Sequence, residues 1–119
     1  MSLFEELKDL GVDVDEGLER VMGDEDLYEM TLGMFIDSVN SNPVSLEDFD
    51  AGDLEELIRR IHMLKGLTGN LALTPLFTRY TQVLEFLRED QTEVAKAGFE
   101  RISSIQAAII DCIKHHVSA

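Results

Sequence analysis

The chain has 119 residues, 24 of them acidic and 10 basic, for a net charge of −14. This length suits one domain with one core, and the charge repels phosphate backbones and anionic lipid, which argues against nucleic-acid or membrane partners. No apolar run approaches the roughly 18 residues of a membrane span, and a single cysteine, Cys112, excludes an internal disulfide and a cysteine-rich metal site.

The reducing cytoplasm is the expected location. Glu5, Glu6 and Asp9 interrupt the start, so no signal peptide is expected there. Met1-Ser2-Leu3 reads as a cloning remnant or as the edge of a short helix, and residues 1–119 read as one domain.

In chain order the signal is helical nearly throughout. Leu3 to Leu10 is predicted as a short helix ended by Gly11, and Asp13 or Asp15 opens a second that Gly23 stops. Asp24 is a good N-cap for a longer helix. Its inward positions are expected to be Leu27, Met30, Met34 and Phe35, and it should end near Pro43. The segment "PVSLEDF" reads as one helical turn or an extension. Asp53 caps the next helix, with Leu54, Leu57, Ile58, Ile61, Leu64 and Leu71 as its apolar stripe. Thr74-Pro75 reads as an N-cap followed by proline at the first helical position. That helix buries Leu76, Tyr80, Val83, Leu84 and Leu87. Asp90 or Thr92 starts the last one, with Val94, Ile102, Ile105, Ile109, Cys112 and Ile113 inward. His115 and His116 fall on its tail and read as solvated. Short connections favour antiparallel neighbours. The expected fold is therefore all-α, an antiparallel four-helix bundle with one or two short N-terminal helices.

One stretch stands out: "RRIHMLKGLTGNLAL", Arg59 to Leu73. It holds two glycines, each costing a helix about 1 kcal/mol relative to alanine. His62 lies at the edge of the apolar stripe, with Lys65, Gly66 and Gly69 at i+3, i+4 and i+7 on the same face. The glycines bare the helix surface and let another molecule approach the imidazole. From Leu57 to Leu84 there is no acid, while Arg59, Arg60, Lys65 and Arg79 fall in that window. A neutral-to-basic zone in so acidic a chain points to a negative ligand. No serine or cysteine pairs with His62 as a nucleophile, and no histidine pair at i, i+4 offers a metal site. A neutral imidazole is itself a nucleophile near neutral pH. It can take a phosphoryl group and release it, with Lys65 offsetting the charge. The residues by themselves fit this reading and that of a boundary histidine alike.

His62-Met63-Leu64-Lys65-Gly66 resembles the signature of histidine-containing phosphotransfer (HPt) domains, His-x-Leu-Lys-Gly followed by small residues. "GVDVDEGLERVMGDEDLYEMTLGMF" and "AGDLEEL" are also similar to that family, and the resemblance spans about residues 12–114. It implies an antiparallel four-helix bundle whose exposed histidine, here His62, carries a phosphoryl group. The group comes from the aspartyl phosphate of one response-regulator receiver domain and passes to another. The resemblance further implies no kinase activity, no cofactor, and a divalent metal held by the receiver rather than by this chain. A sensor histidine kinase would stand upstream, and the domain would be a monomer. Lys65 would assist the phosphoryl group, and Gly66 and Gly69, with Met63, Leu67 and Arg59, would receive the partner. Gln82 is the nearest polar position for a hydrogen bond to the imidazole. Ala72 stands where the family often has glycine, Leu67 where a small residue is usual, and Ile61 where alanine is common.

Two other readings keep the resemblance and change the chemistry. One is a scaffold that binds receivers or kinases without phosphotransfer. The other is the N-terminal phosphoacceptor domain of a chemotaxis-type histidine kinase.

Overall fold

A computed structural model describes residues 2–117. Its helices are α1 (Leu3–Asp9), α2 (Val14–Arg20), α3 (Glu25–Ser41), α4 (Leu54–Asn70), α5 (Thr74–Arg88) and α6 (Thr92–Val117), with a 3-10 turn at Leu46–Phe49. No strand occurs among the described residues. No helix among them is long and apolar enough to cross a membrane.

Local chemistry explains most helix starts. The side chains of Ser2, Asp13, Asp24 and Asp53 accept backbone N–H bonds from Glu5, Glu16, Leu27 and Glu56, at 3.1 to 3.2 Å. These satisfy amides that the first turn leaves without a partner. Ser2 thus caps α1 and Leu3 lies in the core; Met1 lies outside the described residues.

Helix α5 starts differently from expectation. Its N-cap is Leu73, which makes no side-chain cap, and Thr74 is already helical. The turn before it is the reason. Leu71, Ala72 and Leu73 are all buried, and Ala72 has φ +57°. That left-handed conformation favours glycine, and it falls where the resemblance leads one to expect glycine. The buried turn joins α4 to α5 and places apolar Leu73 at the cap.

The apolar face of α3 is also turned from the expected one. Tyr28, Leu32 and Phe35 are buried, whereas Leu27, Met30 and Met34 are 36 %, 56 % and 57 % exposed. The sequence offers two overlapping rows at 3-4 spacing. Tyr28 decides between them: its ring packs where Gly17 of α2 has no side chain, and its hydroxyl donates to the Leu71 carbonyl at 2.8 Å. In α6, Ala95 is buried and Val94 is 48 % exposed, the reverse of what the stripe predicted there.

Helices α4 and α5 form one tightly packed hairpin, α5 and α6 another. Helix α3 packs on α4 and α6, and Phe49 of the 3-10 turn meets Phe99 of α6 with ring centroids 5.3 Å apart. Helix α1 docks on the end of α6. There Glu6 Oε2 lies 2.7 Å from His116 Nε2 and accepts from Cys112 Sγ at 3.5 Å. His116 is therefore no free tail residue. Burial and the Glu6 carboxylate push the Cys112 thiol up to about 11.

Candidate functional site

Asp53 starts α4, and Leu57, Ile61, Leu64 and Thr68 anchor its inner face. His62 follows Ile61 and is exposed. Lys65 and Gly66 come one turn on along the same outer row. A side-chain carbon built on Gly66 would meet nothing within 4 Å, so the surface there is open. Gly69 differs: the same carbon there would lie 2.9 Å from the Phe77 ring of α5. The second glycine is covered by the chain's own aromatic, which is itself 37 % exposed.

The basic residues divide as well. Arg59 holds Glu56 through two bonds, Nε at 2.9 Å and Nη2 at 2.6 Å. Arg60 donates to Glu56, to Asp48 and to the Pro43 carbonyl. These hydrogen bonds hold the Glu56 carboxyl at about 2. Lys65 forms no ion pair among the described residues. It is the cation beside His62 whose charge no acid among the described residues neutralises.

Met63 and Leu67 lie on the row beside the histidine's. They share the i+3 and i+7 positions of Arg60's row, and Arg60 reaches the segment 43–48. Leu67 is half-buried and packs against the core, so its bulk serves the fold. Gln82 is not brought to the imidazole either. It lines a groove between α5 and α6, and the His62 imidazole makes no hydrogen bond among the described residues. The Gly69–Phe77 contact sets the register of α4 against α5. Seven residues back along α4 is His62; seven on along α5 is Leu84, which is buried. On the α5 row that begins at Phe77, the polar residues nearest this level are Thr81 and Glu85. Sequence reasoning missed this row because it depends on the three-residue turn at Ala72.

Beyond Gly66 a groove of about 550 Å³ opens between α2, the end of α4 and the start of α5, lined by Glu16, Arg20, Gly69, Asn70 and Phe77 among others. It adjoins the histidine's row without containing the ring. No group of three metal-ligating side chains occurs among the described residues.

No family model, curated protein or solved structure matches this chain. The functional reading therefore rests on the residues themselves and on the likeness of their pattern. Chemically, an exposed imidazole, an unpaired ammonium one turn on and an open surface beside both suit a nucleophile that works on a partner's group.

Proposed function

We propose that this chain is a phosphocarrier of the HPt type, an antiparallel four-helix bundle in which His62 relays a phosphoryl group between receiver domains. In this reading a ring nitrogen of neutral His62 attacks the phosphorus of a receiver's aspartyl phosphate. The N–P bond forms as the bond from phosphorus to the aspartate oxygen breaks, and the carboxylate leaves with that electron pair. The other ring nitrogen gives its proton to water. Transfer to a second receiver reverses these steps on a new aspartate.

The observation that carries the reading is the placing of Lys65: an unpaired cation one turn from an exposed His62, beside the open surface at Gly66. The ammonium offsets the charge on the phosphoryl oxygens in both directions of transfer. The chain itself catalyses nothing and needs no cofactor. The divalent metal belongs to the receiver, and a sensor histidine kinase feeds the relay. We assign the protein to the cytoplasm, as a monomer.

The test is labelling by a phosphorylated receiver. The wild-type chain should take up phosphate that acid releases and base does not. His62→Gln should take up none while keeping its helical circular dichroism. Label on the His62→Gln variant refutes the assignment. A receiver regulated equally well by both proteins would favour the scaffold instead.

A further inference from the structure

A second groove, of about 280 Å³, runs between α5 and α6. Its floor is apolar, with Val83 and Phe86 from α5 and Val94 from α6, the last 48 % exposed. Its rim carries Arg79 and Gln82 on one helix and Arg101 on the other. No acid lines it, in a chain with 24 acids.

Half of the chain's basic residues are held by acids, and the two arginines of this groove are not. Lys8, Arg20, Arg59, Arg60 and Lys96 are each held by an aspartate or glutamate. Arg79 and Arg101 form no ion pair among the described residues. Two guanidinium groups lining one groove repel each other, and an exposed valine in the same groove gains nothing from water. An anionic occupant with an apolar face relieves both.

We infer that this groove docks an acidic amphipathic helix of a partner protein, apolar residues on Phe86 and Val94 and carboxylates toward Arg79 and Arg101. The space between two packed helices suits a third helix. Charge complementarity with Arg79 and Arg101 selects an acidic segment over a neutral or basic one. The same repulsion, at −14 on each chain, opposes a second copy as the occupant. The surface is separate from the proposed phosphoacceptor. Gln82 and Phe86 belong to the flank of α5 turned to α6, whereas Phe77 marks the flank turned to α4. The inference therefore stands or falls independently of the phosphotransfer reading.

Fluorescence anisotropy of a labelled helical peptide tests it on the full chain. The probe is about 15 residues of Glu, Ala and Leu, with leucines at 3-4 spacing. Saturable binding that weakens as salt rises is expected. The double variant Arg79→Gln/Arg101→Gln and, separately, Val94→Asp should each weaken it about tenfold or more. Both change exposed or half-exposed side chains, and circular dichroism checks the fold. A peptide of the same composition with its leucines dispersed should bind about tenfold more weakly. The inference is overturned if the probe does not bind, or binds the double variant equally well. It is also overturned if millimolar inorganic phosphate displaces the probe, which would make the groove a small-anion site. Sedimentation showing a dimer that the double variant dissolves would assign the groove to a second copy.

Discussion

The ring of Phe77 lies over Gly69, leaving no room for a side chain there, while Gly66 one turn earlier faces open space. Two glycines that look equivalent in the sequence thus have different causes. Gly69 lets α5 close on α4; Gly66 has no packing reason and costs the helix about 1 kcal/mol. Gly66→Ala should therefore raise the melting temperature, by several degrees for a domain of this size. Gly69→Ala gains the same propensity but must displace the ring, which offsets it. Thermal melts should rank Gly66→Ala above Gly69→Ala, and the opposite order would show that the surface at Gly66 is not open. Under the proposed function, Gly66→Ala should also slow labelling by a phosphorylated receiver, because it crowds the approach to His62.

Met22 gives a prediction free of packing. It holds φ +58° in the turn between α2 and α3, and its side chain is 98 % exposed. A left-handed conformation costs an L-residue about 1 kcal/mol or more, and here no contact repays it. Met22→Gly should stabilise by about 1 kcal/mol in urea unfolding, with an unchanged slope. A midpoint that falls instead would mean that Met22 makes contacts in the folded chain.

These cases show how far the sequence carries. Caps and breakers are local: Asp24 and Asp53 were legible as the residues that start α3 and α4, and Asp13 as one of two candidates, with Asp15, for α2. The histidine row of α4 was legible for the same reason, because i+3 and i+4 neighbours need no tertiary knowledge. Choices between two faces of one helix were not. Tyr28 rather than Leu27 turns inward on α3 because Gly17 of another helix leaves room for its ring. That Leu67 packs against the core was not legible either, because its flank of α4 is set by Arg60 reaching Pro43 and Asp48. Gln82 looked close to His62 in sequence terms, yet its flank of α5 faces α6. Each miss concerns which neighbour a residue meets, and only packing decides that.

Tyr28 links three elements, and its removal separates two effects. Tyr28→Phe keeps the ring beside Gly17 but leaves the Leu71 carbonyl without its donor. The expected cost is about 1 kcal/mol, with the fold intact. Gly17→Ala places a methyl 2.5 Å from the ring and should cost more, about 1 to 3 kcal/mol. Denaturant melts of the two variants test this ranking, and a Gly17→Ala protein as stable as wild type would disprove the close approach of α2 to Tyr28.

Glu56 makes acid sensitivity a test of the Arg59 and Arg60 contacts. Hydrogen bonds from Arg59 and then Arg60 bring its carboxyl from the ordinary 4.5 to about 2 in the folded chain. A depressed carboxyl stabilises the folded state above its unfolded value, and that contribution is lost as pH falls from about 4.5 toward 2. The group is partly exposed, so salt screens the effect and melts belong at low ionic strength. Glu56→Gln lacks the titration. The melting temperature of wild type minus that of the variant should be positive at neutral pH and shrink steadily between pH 4.5 and 2. A difference that stays constant across that window would mean that the two arginines do not hold the carboxylate. Because Arg59 is occupied with Glu56, the same variant releases a guanidinium three residues before His62. Under the proposed function it should change receiver labelling only slightly, since Lys65 remains the cation at the phosphoryl group. Lys65→Ala should slow labelling far more than Glu56→Gln, and equal rates for the two variants would remove Lys65 from that role.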